Sequence, residues 1–426
     1  MRKIFPISRW AFVAIASLLL PGAVSAGAGT EAPVKGKPAL SKDAVAKLAQ
    51  SSNAFGFDLY QRLRQKPGNL VISPSSITTA LAMTWGGAEG ETSAQMRKVL
   101  HLEGTADEVM ATSGELAKSL QDPSRPVVFR IANQLFGEKT YKLVPAFVEK
   151  TRAAYGAAIE LLDFKKSPEQ ARVHINKWVE GKTLHRIKDL IPRDAVKSDA
   201  RLVLVNAIYF LGDWADPFKR DETRPFPFHL TASKTEEVPT MNRSGGFRIS
   251  QKDGVTALEL PYKGSEMSMI LLLPDEIEGL AAVEGTLDAK RLDALVSTMK
   301  REWVWVALPK FEVNPGASMA LGDDLKALGM PLAFNNDLAD FTGIANPANP
   351  AQRVVIGEVF HKGFVKVDEK GTEAAAATAV VGVEGGAAAG GGPRPFRVDR
   401  PFLFVIRDNA SGLVLFLGRV NDPSKR

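Results

Sequence analysis

The chain of 426 residues contains no cysteine. That excludes disulfides, thiol catalysis and cysteine-ligated zinc or iron–sulfur centres. Histidine is sparse: only His101, His174, His185, His229 and His361 occur, and no two sit at a close metal-ligand spacing. No G-x-S-x-G elbow and no G-x-x-x-x-G-K-[ST] phosphate loop is present. Cofactors and metals are therefore not expected. A large charge of one sign is also missing, since the formal net charge is +6. Nucleic-acid binding by electrostatics is not indicated. After the first two dozen residues, no apolar run is long enough to span a membrane.

What is present begins with a secretory signal. Arg2, Lys3 and Arg9 form a positive start, residues 10–20 are apolar, and Val24-Ser25-Ala26 supplies small residues for cleavage. Cleavage after Ala26 would leave 400 residues and remove three positive charges, taking +6 to +3. The mature protein is then expected outside the cytoplasm, secreted or periplasmic. Residues 27–40 are rich in Gly, Pro and Ala and read as a flexible lead-in. The folded domain is expected over 41–426.

From Ser41, Val45, Leu48, Phe55, Leu59 and Leu63 recur at helical spacing. A further helix is expected over 92–100. Another should start at Ser167-Pro168-Glu169-Gln170, with Ser167 capping, Pro168 at the first helical position and Gln170 closing a capping box. Residues 202–210 (LVLVNAIYF) form an apolar run expected to be a strand buried on both faces. Residues 267–273, 303–308, 402–406 and 413–417 are further strands. Helices gather in the first half and strands in the second, which favours an α+β fold.

One segment stands apart. Residues 371–392 (GTEAAAATAVVGVEGGAAAGGG) hold eight Ala and seven Gly among 22 residues, with no aromatic, Leu, Ile or Met. It cannot anchor a core, yet strong strand patterns follow it, so it is no trailing tail. Thr372, Ala374, Ala376, Thr378 and Val380 share one parity, and Glu373, Ala375, Ala377, Ala379 and Val381 the other. Extended, the parity carrying Glu373 would face solvent, and the other would slide between strands against a core. Alanine is also the best helix former, so the segment suits two states.

These residues carry a family likeness. VDEKGTEAAAATAVV (367–381), FRVDRPFLFVI (396–406), NAIYFLGDW (206–214), ISPSSITTALAM (72–83), LPKFEV (308–313), ADFTGI (339–344) and GEVFHKGFVKV (357–367) resemble, in order, motifs of the serpins. The resemblance spans about 51–423. It implies three β-sheets, eight or nine helices and an exposed reactive-centre loop at about 370–395. It implies a monomeric protease inhibitor, not an enzyme. A protease cuts the loop and forms an acyl-enzyme, and the loop enters the central sheet as a new strand, distorting the protease. A non-inhibitory serpin, acting as a binding or storage protein, is the alternative.

Residue by residue, the resemblance places Glu369 at the top of the hinge and Trp214 at the breach beside it. Gly371, Thr372, Glu373, Ala374, Ala375, Ala376, Ala377 and Thr378 form the hinge. Ser73, Ser76, Asn206 and His361 match the shutter, a buried polar cluster that must let strands part. Counting from Glu369 puts the scissile bond between Gly385 and Gly386, whereas counting back from Pro401 gives a site near Gly390. Val383, Glu384 and residues 387–389 remain alternatives. Pro395 makes Arg394 a poor trypsin-type site. Small residues suit a subtilisin- or elastase-like serine protease, while a papain-like cysteine protease or a glutamate-specific enzyme stays open. His185 stands where the family usually has Gly. No basic cluster in 101–125 indicates a heparin-type activation site.

Overall fold

A computed structural model describes residues 41–156, 159–373 and 392–425. The signal, the lead-in, hinge residues Ala374, Ala375, Ala376, Ala377 and Thr378, and the Gly385–Gly386 bond lie outside the described residues.

Nine α-helices occur among the described residues: α1 (Lys42–Leu63), α2 (Pro74–Trp85), α3 (Gly90–Val99), α4 (Ala106–Leu120), α5 (Pro145–Tyr155), α6 (Pro168–Lys182), α7 (Leu280–Thr286), α8 (Ala289–Ser297) and α9 (Gly322–Leu328). The strands are β1 (Leu70–Ile72), β2 (Val127–Glu138), β3 (Glu160–Leu162), β4 (Leu202–Asp213), β5 (Arg224–Thr231), β6 (Lys234–Lys252), β7 (Val255–Pro261), β8 (Met267–Pro274), β9 (Lys300–Pro309), β10 (Phe311–Val313), β11 (Met319–Ala320), β12 (Ile356–Val367), β13 (Gly371–Thr372), β14 (Arg394–Arg397), β15 (Phe402–Asp408) and β16 (Val414–Val420). All five expected strand segments form, and the fold is α+β.

Hydrogen bonds link the strands into two sheets rather than three separate ones. β6 is the reason. Its 19 residues pair with β5 and β9 along most of its length, and with β7 through Arg248 to Lys252. One strand thus serves two layers. The central sheet has the order β10-β12-β13-β4-β2-β3. Its inner face packs Phe129, Ile208, Phe210 and Val365 against Met269, Leu271, Phe404 and Phe416 of the larger sheet. Its outer face is covered by α6, with Ile175 and Val179 on Val203, Val205 and Ala207. β4 is buried on both faces as its apolar run requires.

The expected capping box at Ser167 does not form. Pro168 is at the first helical position, but Ser167 adopts φ −141°, ψ 52° and caps nothing with its side chain. Asp163 accepts the Lys166 N–H instead (2.9 Å). His185 has φ +61°, a conformation suited to glycine, which accounts for the residue it replaces in the family pattern.

Candidate functional site

The site is built along one seam. β12 and β4 run parallel and pair directly from Ile356↔Leu202 to Phe364↔Tyr209. Beyond Phe364 they part, and β13 enters between them. Thr372 pairs with Val367 of β12 and with Gly212 of β4, and Gly371 pairs with Asp213. The central sheet therefore already admits the first two hinge residues at one end, and is closed below them.

Residue types explain why these two fit. A Cβ on Gly371 would lie 2.0 Å from the Gly212 carbonyl oxygen, so only glycine passes there. Thr372 is wholly buried, and its hydroxyl bonds the Tyr262 hydroxyl at 2.6 Å. Burial holds the Tyr262 phenol far above its ordinary pKa, so it stays a neutral partner.

The turn that delivers the hinge is clamped. Trp214 donates its indole N–H to the Asp368 carbonyl (3.1 Å) and its backbone N–H to that of Lys370 (2.7 Å). Its ring stacks on Tyr262 with centroids 4.7 Å apart. Glu369 is buried against Lys310 (2.9 Å) and accepts from the Thr223 hydroxyl (2.9 Å). Burial raises its pKa, but the lysine and the hydrogen bonds outweigh burial and the net shift is downward. Trp214 and Glu369 thus hold the same turn from two sides of the chain.

Glu373 is a correction. It does not face solvent, being only 5% exposed. Its parity does place it on the outer, α6-covered face, but there its carboxylate meets Arg186 at 2.7 Å. Its φ of +41° turns the chain out of the strand direction. Burial pushes its pKa up despite the Tyr209 hydroxyl and Arg186, so the ionised carboxylate is not fully compensated. A strained backbone and an under-compensated charge coincide at Glu373, next to β13.

Ser73, Ser76, Asn206 and His361 come together halfway down the seam. His361 of β12 and Asn206 of β4 are register partners, joined by a hydrogen bond from Nδ1 to Asn206 Oδ1. The Ser73 backbone N–H donates to His361 Nε2 (3.1 Å), which fixes the proton on Nδ1. Asn206 Nδ2 donates to Ser76 Oγ (2.7 Å) and to Asn133 Oδ1 (2.6 Å). Sequence reasoning missed Asn133, which sits directly across from Asn206 on β2. It also missed Tyr262, Lys310 and Thr223 as partners of the hinge and its turn. The only available signal for Asn133 was an asparagine within a strand-like stretch.

Burial lowers the His361 pKa to about 3. The folded state therefore holds a neutral imidazole, while the unfolded chain titrates near 6.5. The folded pKa is depressed, so the resulting stability is complete above 6.5 and declines as pH falls towards 3. Between pH 7 and pH 5, urea unfolding should show a loss of about 2 kcal/mol from this residue alone. A His361→Asn chain should lack that increment of slope, and an unchanged slope would refute the assignment.

These features define a protein whose own segment starts to enter its own central sheet. Comparison agrees. The family model described as "Serpin (serine protease inhibitor)" matches residues 50–423. Human leukocyte elastase inhibitor is 37% identical over 390 residues, covering 88% of this chain and all of that one. Human serpin B3 is 38% identical, with 88% and 99% covered. A serpin-like protein of Thermococcus kodakarensis is 39% identical, with 88% and 86% covered. Among solved structures, uncleaved ovalbumin matches with TM-score 0.78 at 28% identity, over 88% of this chain and all of ovalbumin. Human thyroxine-binding globulin matches with TM-score 0.80 at 26%, over 90% of this chain and all of that one. The chain belongs to the serpin family and is not an enzyme.

Proposed function

We propose that this serpin is an inhibitor that traps proteases by inserting its cleaved loop into the β12–β4 seam. One observation supports this reading above others: the register set by Thr372. Continued residue for residue, it brings Thr378 opposite both Asn206 and His361, and Gly382 opposite Leu202, where β4 begins. Even-numbered residues fall on the inner face with Thr372, so the Thr378 hydroxyl would arrive among the polar groups that strand separation frees. Residues 373–382 are small or β-branched throughout apart from Glu373, and suit a slot between two strands.

In that register Gly382 would reach the end of the seam, so a useful cut must lie beyond it. The Gly385–Gly386 bond is three residues past that end, a short tether that would hold the acylated enzyme against the base of the molecule. Ten residues of insertion carry it about 33 Å. The small residues there favour a subtilisin- or elastase-like serine protease as target. The signal-like start supports export to the periplasm or beyond, and the mature N-terminus should then be Gly27.

The test is to mix the protein with subtilisin and with an elastase. A detergent- and heat-stable covalent complex should form, and mass spectrometry of the released fragment should begin at Gly386. Cleavage without any complex would instead support the non-inhibitory reading.

A further inference from the structure

The face of β5, β6, β9 and β14 turned away from the core carries an uncommon stack. The Arg397 guanidinium lies 5.5 Å from the Phe226 ring centre and 5.9 Å from that of Trp305. Arg224 approaches Phe226 at 5.6 Å, and the Phe226 and Trp305 rings are 6.2 Å apart. Two residues along β9, Trp303 is 52% exposed. It pairs across to Gly246, whose missing side chain leaves room for the Arg301 guanidinium.

Arg224, Arg301 and Arg397 are exposed, and none is ion-paired among the described residues. The neighbouring charges are otherwise engaged: Arg243 holds Asp216 (2.9 Å) and Arg394 holds Glu302 (3.1 Å). Asp221 and Glu222 lie at the rim beside Arg224. Exposed tryptophan beside stacked arginine is the composition of interface hot spots, and unpaired guanidinium groups favour an acidic partner.

Position decides which partner. β14 starts only eight residues after Gly386, a leash of at most about 29 Å. A protease domain of roughly 250 residues has a radius of gyration of about 18 Å. An enzyme holding the loop in its cleft can therefore reach this face. We infer that the Arg224–Phe226–Arg397–Trp305 face is a second docking surface for the loop-bound protease, and that it selects enzymes with an acidic rim around the cleft. The inference rests on the inhibitory reading above.

The experiment compares the wild type with the Arg224→Glu/Arg301→Glu double variant, which leaves the loop and hinge intact. Each is mixed with subtilisin and with lysine-succinylated subtilisin, both active-site titrated, at low and high salt. At low salt the wild type should react with the succinylated enzyme at least about tenfold faster than the variant does. The gap should shrink at high salt, and the yield of covalent complex should not change. Equal rates with the succinylated enzyme, or equal slowing with both enzymes, would overturn the docking surface alone. No covalent complex with the wild type and either enzyme would defeat the inhibitory reading and this inference with it.

Discussion

Under the proposed trapping reaction, replacing Thr372 with arginine should convert the protein from an inhibitor into a substrate. Thr372 is fully buried, between Val367 and Gly212, with its hydroxyl on Tyr262. The side chain there meets the neutral Tyr262 hydroxyl, and burying a cation against it costs several kcal/mol. Trapping is a race between insertion and hydrolysis of the acyl-enzyme. A barrier higher by only about 3 kcal/mol slows insertion roughly a hundredfold. The covalent complex should therefore nearly vanish, while the loop is still cut at the same bond and at a similar rate. Unchanged cutting shows that the variant is folded and recognised. Thr372→Ser, which keeps the hydroxyl, should still trap. If Thr372→Arg traps like the wild type, trapping does not need this residue inside the sheet.

Thr378→Val should weaken the cleaved form and spare the intact one. Separation of β12 from β4 breaks the bond between His361 and Asn206, which bridges that seam. The set register brings Thr378 between them, and its hydroxyl can replace the lost partner. Valine has nearly the same shape but offers nothing, leaving buried polar groups unsatisfied at a cost of about 1–3 kcal/mol each. Nicked Thr378→Val should melt about 1–4 °C below nicked wild type. The two intact chains should melt together. Coincident melting of the nicked forms would show that residue 378 does not reach the His361–Asn206 level.

Much of the fold could be read from the sequence because its cues are local. The apolar runs that became β4, β8, β15 and β16 are buried on nearly every residue, whereas β9 is buried mainly from Val306 to Pro309. Ser41 caps α1 where the periodicity begins. Local cues also misled. The Ser167 box failed because Ser167 took another conformation, while the box that does form, Thr105 with Glu108, lies in a TADE segment that carried the same pattern. β2 went unread since its burial does not alternate, and it carries Arg130 and Asn133 among apolar residues.

The site divides the same way. Glu369, Thr372, Trp214 and the four polar residues of the seam were legible only through resemblance to a family. Their partners were not, because Tyr262 is 110 residues from Thr372 and Asn133 is 73 from Asn206. Such pairings obey no period along the chain. Glu373 was misjudged for another reason: strand parity gives the face, but not whether a neighbour such as Arg186 covers it.

The most direct measurement is a melting scan of the protein before and after a single cut within 383–390. Completing the seam adds hydrogen bonds on both sides of a new strand. It breaks the single set between β12 and β4, for a net gain of roughly a dozen. At about 1 kcal/mol each, the relaxed form is deeper by on the order of 10 kcal/mol. The nicked protein should then melt roughly 10 °C or more above the intact one. A nicked protein that melts at or below the intact temperature would contradict the idea that the uncut fold is held short of its most stable arrangement.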